Sequence, residues 1–360
     1  MTHRFLPRAA LVLGVSLAFA LSGLAVQAAD FSAEYVFGDS LSDRGNLAEF
    51  ENVLGLFSGN FPDPPSNHDS FTNGPVAVQL LAQSLGLNAN PSLWLTGFKD
   101  PAGLFGGPAF VPGTNYAVAG ATSADANAGV PGINLVEQVA AYNAFVSDHA
   151  DPNALYVIMI GGNDVRNVTG ATDPGTGAAA IADGADTEVA EITTLADEGA
   201  KHFLVVNVPN VGLIPEFAED DPSRAAFATQ LSQTYDTDLA HGLAGLHLGA
   251  GATLTDFNLY DFNANILANA NALGFTNTTD PCFSDTPTSA ASSTGCSLAN
   301  INSFLYWDDI HPTARVQAMW AAGFEAAVPE SSTWAMLLLG FASLGYAGYR
   351  RGALARTAAA

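Results

Sequence analysis

Short runs of apolar, β-branched or aromatic residues punctuate this chain, and longer proline-free stretches rich in Ala, Leu and Gln lie between most of them. The runs are Tyr35 to Phe37, Tyr116 to Ala119, Leu155 to Ile160, Phe203 to Val208 and Thr253 to Phe257. The intervening stretches are Val76 to Leu85, Leu135 to Val146, Ala178 to Asp197 and Ala225 to Leu246. Runs that are short, continuous and apolar suit strands buried on both faces, and the longer stretches suit covering helices. Their alternation predicts an α/β fold with a central parallel sheet. In such sheets the ligand site lies beyond the carboxyl ends of the strands. Polar, glycine-containing segments fall there: Gly38-Asp39-Ser40 after one run, Gly120 after another, and Gly161-Gly162-Asn163-Asp164 after a third.

Both ends read as targeting segments rather than fold. Arg4 and Arg8 precede an apolar run from Ala9 to about Leu24, and Val26-Gln27-Ala28 offers small residues for cleavage. Residues 1–28 are therefore expected to be a secretory signal peptide. The apolar region is short for a permanent membrane anchor. Residues 29–327 are long enough to bury one substantial core as a single domain. All 35 acidic residues lie between Asp30 and Glu330, with only 6 basic ones beside them, a formal charge of −29 for that body. A surface so negative repels phosphate backbones, so no nucleic-acid partner is expected.

The chain has two cysteines, Cys282 and Cys296. In the oxidising compartment that export implies, a close pair is expected to form a disulfide, closing the Ser- and Thr-rich stretch Thr276 to Ser297. Without neighbouring histidines the pair makes a poor zinc site, so neither metal nor cofactor is expected. The stretches Gly55 to Gly74 and Asn88 to Thr114, dense in Gly, Pro, Asn and Phe, are expected to form long surface loops. Such loops either wall a substrate site or decorate the surface.

Nucleophilic hydrolysis by serine needs a serine freed at a sharp turn, an imidazole to take its proton, a carboxylate to orient that imidazole, and donors for the oxyanion. Gly38-Asp39-Ser40-Leu41 supplies a serine just past a buried run, although Asp and Ser also cap helices without any chemistry. Trp307-Asp308-Asp309-Ile310-His311-Pro312 puts a carboxylate three residues before a histidine, close enough to meet within one turn of chain. Pro312 suits the first turn of a helix over Thr313 to Ala322. Oxyanion donors could come from the Ser40 N–H, a backbone N–H at Gly120 and the Asn163 amide. Asp39 and Asp164 are expected to hold loops by accepting backbone N–H groups. His68, His149, His202, His241 and His247 read as surface or structural.

Four segments run in one order along the chain: Phe37-Gly38-Asp39-Ser40-Leu41-Ser42-Asp43, Asn115 to Ala121, Gly161-x-Asn163-Asp164 and Asp308-x-x-His311. Together they resemble the successive blocks of the GDSL/SGNH hydrolases, and within them the larger GDSL lipase/acylhydrolase branch. The resemblance implies a flavodoxin-like three-layer α/β/α fold. It also implies Ser40 as nucleophile, Gly120 and Asn163 in the oxyanion hole, His311 as base and Asp308 as its orienter. Arg44 stands where that branch often has a small polar residue, which bears on the mouth of the site.

Residues 328–360 carry Val328-Pro329-Glu330-Ser331, an apolar stretch from Trp334 to Tyr349, and then Arg350-Arg351. An apolar span with a basic flank is expected to engage the inner membrane transiently. The segment resembles the PEP-CTERM sorting signal of Gram-negative bacteria, with Ser331 where the second proline would stand. The resemblance implies a sorting protease of the exosortase kind and delivery to the periplasm, cell surface or matrix. The expected function is therefore an exported esterase or lipase acting on a small-molecule or lipid ester. A carbohydrate acetyl esterase on the same fold and a non-catalytic surface-binding protein are the alternatives. The first differs only in what the loops hold, and the second has no reason to keep Ser40, Asn163, Asp308 and His311 together.

Overall fold

The computed structural model describes residues 31–54, 66–67, 69–96, 113–127, 132–169, 174–218, 222–284, 291–292 and 295–328. The expected signal peptide, the tail beyond Val328, most of the two glycine- and proline-rich loops (55–65 and 97–112) and His68 lie outside them.

Four parallel strands form the central sheet: β1 (Glu34–Gly38), β2 (Leu155–Met159), β3 (His202–Val206) and β4 (Thr253–Phe257), paired in that order. All five residues of β2 are buried, as are the last four of β3, which is why these strands read as unbroken apolar runs. By contrast, β4 carries Thr253, Thr255 and Asp256 and lies at the sheet edge, where one flank pairs with no strand among the described residues. The expected strand at Tyr116 to Ala119 takes a looser form. Residues 115–118 follow β1 in parallel, with Tyr116 N–H donating to the Val36 carbonyl at 2.7 Å and Val118 N–H to the Gly38 carbonyl at 3.1 Å. The side chains of Asn115 and Asp43 then take over the hydrogen bonding that a further strand residue would make.

This fifth segment lies on one side of β1 and β2 on the other, so the chain reverses its direction across the sheet at β1. The crevice between the carboxyl ends of β1 and β2 is the switch point at which open α/β sheets bind ligands.

The helices are α1 (Asn46–Leu54), α2 (Ala77–Ser84), α3 (Leu135–Val146), α4 (Gly162–Val168), α5 (Pro174–Asp197), α6 (Pro215–Ala218), α7 (Pro222–Gly245), α8 (Leu259–Ala268) and α9 (Ala314–Ala327). Pro174 and Pro222 open α5 and α7, where a missing N–H costs nothing. Contacts sort the main helices into two layers, with α5 packed on α7 and α3 on one side, and α2 packed on α9 on the other. The result is the expected three-layer α/β/α arrangement. Short strands β5 (Asn277–Pro281), β6 (Phe283–Ser284), β7 (Ala291–Ser292) and β8 (Phe304–Tyr306) form two small sheets outside the main one. The Cys282–Cys296 disulfide ties this region, and both sulfurs are buried with Phe283, Phe304 and Trp307 in a second core.

Glu34 opens β1 fully buried, and neither of its carboxylate oxygens has a hydrogen-bond partner among the described residues. Burial pushes its carboxyl well above the ordinary 4.5. The folded protein therefore retains a proton that the unfolded chain releases, and stability declines as pH rises from the ordinary value towards the folded one. Glu34→Gln removes that penalty. Thermal unfolding should show little gain for the variant near pH 4 and a melting temperature that pulls ahead of the parent towards pH 8.

Candidate active site

Beyond β1 the chain turns sharply. Ser42 and Asp43 N–H groups both donate to the Asp39 carbonyl, at 3.0 and 2.8 Å, and the Asp39 side chain accepts the Leu41 N–H at 2.9 Å. Ser40 sits at the crest of this turn. From below, the Gln138 amide accepts the Gly38 N–H and donates to the Gly38 carbonyl, both at 2.8 Å, so one side chain holds both backbone groups at the strand end. Asp43 accepts N–H groups from Gly45, Asn46 and Leu47 at the start of α1, and that of Ala119 at 2.8 Å. The same carboxylate thereby ties the Ser40 turn to the residue preceding Gly120.

The histidine arrives from the other end of the sequence. A loop closed by Trp307 N–H donating to the His311 carbonyl at 2.7 Å carries Asp308 and His311. His311 Nε2 lies 2.7 Å from Ser40 Oγ, across 271 residues of chain. Its Nδ1 lies 2.7 Å from Asp308 Oδ2 and 2.9 Å from Oδ1. Asp308 Oδ1 also accepts the Ile310 and His311 N–H groups, at 2.9 and 2.5 Å. Burial alone would raise the Asp308 carboxyl, but the adjacent His311 and these N–H donors hold it below the ordinary range. An ionised Asp308 requires the proton on Nδ1, which leaves Nε2 as the acceptor facing Ser40. The expected helix after His311 begins at Ala314, one residue later than the expected Thr313, and Pro312 precedes it rather than lying in its first turn. The Thr313 hydroxyl turns to the Phe304 carbonyl, and Asn73 instead accepts the Ala314 N–H at 2.8 Å.

Gly120 and Asn163 complete the rim. Gly120 is exposed with φ of +85°, a conformation that favours glycine. Neither its N–H nor that of Ser40 meets an acceptor among the described residues. Asn163, in the first turn of α4, spends one amide N–H on the Ala121 carbonyl at 2.9 Å and has a second to offer. Gly161 caps α4 at φ +100°, and a Cβ there would fall 2.6 Å from the Tyr235 ring and from Val208. Glycine is thus required for α4 to sit down on Tyr235.

Asp164 behaves as expected, accepting the Ser123 N–H and the Asn127 amide, each at 2.9 Å. Ser123 Oγ lies 2.5 Å from the Tyr235 hydroxyl, which donates to Glu188 at 2.7 Å. This buried line braces α4 against α5 and α7. Burial pushes the Asp39, Asp43 and Asp164 carboxyls up, to about 7, 6 and 6, against the N–H donors that each accepts. Among the site's acids, Asp308 alone is held low.

Several supports carry no periodic signal. Phe71 packs on the His311 ring, centroids 5.1 Å apart, and Thr72 donates to the Pro312 carbonyl at 3.0 Å. Gln138 reads only as a helix residue. Asn115, within the second block, donates to the Ser42 carbonyl at 2.8 Å. Arg44, expected to bear on the mouth, instead reaches Asn90 at 2.5 Å and does not border the cleft at Ser40. His149, His241 and His247 are exposed and His202 is partly so, as expected. Among the described residues, no group of three or more His, Cys, Asp or Glu side chains is placed to hold a metal ion.

Residues 35–324 match the profile of the GDSL-like lipase/acylhydrolase family. The chain belongs to that family. It is 33% identical to Lipase 1 of Photorhabdus luminescens over 186 residues, 51% of this chain and 23% of that protein. It is 24% identical to the thermolabile hemolysin of Vibrio parahaemolyticus over 307 residues, 80% of this chain and 62% of that one. A GDSL esterase/lipase of Arabidopsis thaliana, LIP-4, is 26% identical over 349 residues, 85% of this chain and 90% of the relative. The chain thus spans less than two thirds of the length of the two bacterial relatives. As a member of this family, the protein carries its four sequence blocks around one crevice, at the switch point of the sheet.

Proposed function

We propose that this protein is a carboxylic ester hydrolase acting through a Ser-His-Asp acyl-enzyme. The observation that carries the reading is the unbroken line from Asp308 through His311 to Ser40, with contacts of 2.7 Å on both sides of the ring. His311 Nε2 takes the Ser40 proton as Oγ attacks the ester carbonyl carbon, and Asp308 stabilises the imidazolium that forms. The Ser40 and Gly120 N–H groups and the second Asn163 amide N–H receive the oxyanion. His311 then gives its proton to the leaving alkoxide, and water repeats the cycle on the acyl-enzyme. The names borne by the relatives, lipase and esterase/lipase, support the same reaction class.

A fluorophosphonate probe tests the reading most cheaply. The folded protein should label at a single serine and hydrolyse p-nitrophenyl butyrate. A folded protein that does neither overturns the proposal in favour of a binding role.

Export belongs to the same proposal. Residues 1–28 direct secretion, residues 29–327 form the catalytic body, and residues 328–360 hold it at the inner membrane until an exosortase-like protease releases it. Deleting Ser331 to Ala360 should leave hydrolysis intact, because Ser40, Gly120, Asn163, Asp308 and His311 all precede it, and should shift the enzyme into the soluble fraction. Full-length and truncated forms of equal solubility, with the full-length mass retained, would remove the tail from this account.

A further inference from the structure

One cleft opens at Ser40, and its walls differ from the crevice that feeds it. It begins at Ser40 and Asn163 and runs between α8 and α9. On α9, Val316 and Trp320 are spaced by four residues and so share one face, leading away from His311. Facing them on α8, Tyr260, Asn263, Ala264 and Leu267 keep the same helical spacing. The two walls differ in depth: Val316 and Trp320 on α9 are 1% and 3% exposed, whereas Ala264 on α8 and Leu213 at the rim are exposed. The α9 wall is thus the inner one.

Many of its polar groups are already engaged. Trp320 Nε1 donates to Asn263 at 2.7 Å, which turns the indole's apolar face to the space. The Tyr306 hydroxyl donates to the Leu213 carbonyl at 2.9 Å. Tyr260 accepts from Gln233 and Asn210. Among the described residues, the one basic side chain on the wall, Arg166, is paired through Nε with Glu216 at 2.6 Å. A sugar ring carries more hydroxyls than the donors left on this wall can meet, and each one buried without a partner costs several kcal/mol. A methylene chain meets no such cost and gains about 0.8 kcal/mol for each group buried.

Resting on the ester-hydrolase reading, we infer that this cleft is the acyl site, that it takes a straight apolar chain of medium length, and that Trp320 sets the limit. Thr313 to Trp320 spans roughly 10 Å of helix axis at about 1.5 Å per residue. An extended chain advances roughly 3.5 Å for every three bonds, so that depth takes about nine bonds, a chain of roughly eight to ten carbons.

The test is a series of p-nitrophenyl esters from acetate to palmitate, with acetylated xylan beside them, on the parent, Trp320→Leu and Val316→Phe. The leaving group is constant, so chain length reads the acyl side alone. For the parent, kcat/KM should rise at least tenfold from acetate to octanoate and fall beyond decanoate. Trp320→Leu should raise the dodecanoate-to-octanoate ratio about tenfold. Val316→Phe should lower the octanoate-to-acetate ratio by a similar factor. A parent that hydrolyses acetate but shows no rise towards octanoate, or prefers acetylated xylan, overturns this inference and leaves the hydrolase reading standing. Folded variants that keep the parent's chain-length profile overturn it too. No hydrolysis at any length overturns the hydrolase reading itself.

Discussion

Ser40→Ala should lower kcat on p-nitrophenyl esters by about 10⁴–10⁶-fold, the scale on which loss of a nucleophile removes covalent catalysis while leaving binding. Among the described residues, Ser40 Oγ is the hydrogen-bond partner of His311 Nε2, at 2.7 Å, and Asp308 occupies the other ring nitrogen. No second hydroxyl can inherit the role without moving the imidazole. The fold should tolerate the change. The Ser40 turn is held by the Asp39 carbonyl, the Asp39 carboxylate and the Gln138 amide, none of which uses the hydroxyl. A melting temperature within a few degrees of the parent, together with lost fluorophosphonate labelling, would confirm a chemical defect. Labelling at the parental rate would move the nucleophile elsewhere.

Asn163→Ala should cost about 10²–10³ in kcat with a smaller change in KM, because the donor acts on charge that develops in the transition state. The side chain has two jobs, since its other N–H ties α4 to the Ala121 carbonyl. A loosened 120–123 segment would disturb Gly120 as well, so the effect should reach the upper part of that range. The kinetic split separates the jobs from a substrate-binding role: KM rising while kcat holds would show that Asn163 grips the substrate rather than the oxyanion.

Much of the fold was legible in the chain because the signals are local. Strands β1 to β4 and helices α2, α3, α5, α7 and α9 fall on the expected stretches, with α3 matching residue for residue. Helices α1, α4, α6 and α8 were not anticipated, and their local signals are faint. The first turn of α4 is Gly162-Asn163-Asp164, poor helix formers made helical by the cap at Gly161 and the seat on Tyr235. For α8 a signal existed: Asn258 accepts the Asp261 N–H at 2.8 Å, the mark of an N-cap preceding an apolar run.

The sequence by itself determined the residue set: a serine after a buried run, a carboxylate three residues before a histidine, and a glycine and an asparagine after two further runs. Local geometry suffices for Asp308 and His311, because four consecutive residues can bring carboxylate and imidazole together. Only the tertiary structure decided that His311 reaches Ser40 across 271 residues, since that depends on the order of strands in the sheet and not on any short window. The same holds for Phe71 against the imidazole, for Gln138 beneath Gly38, and for the apolar cleft between α8 and α9. Periodicity tells a residue which face of its own element it occupies. It cannot tell it what that face will meet, because packing is settled by all the elements at once.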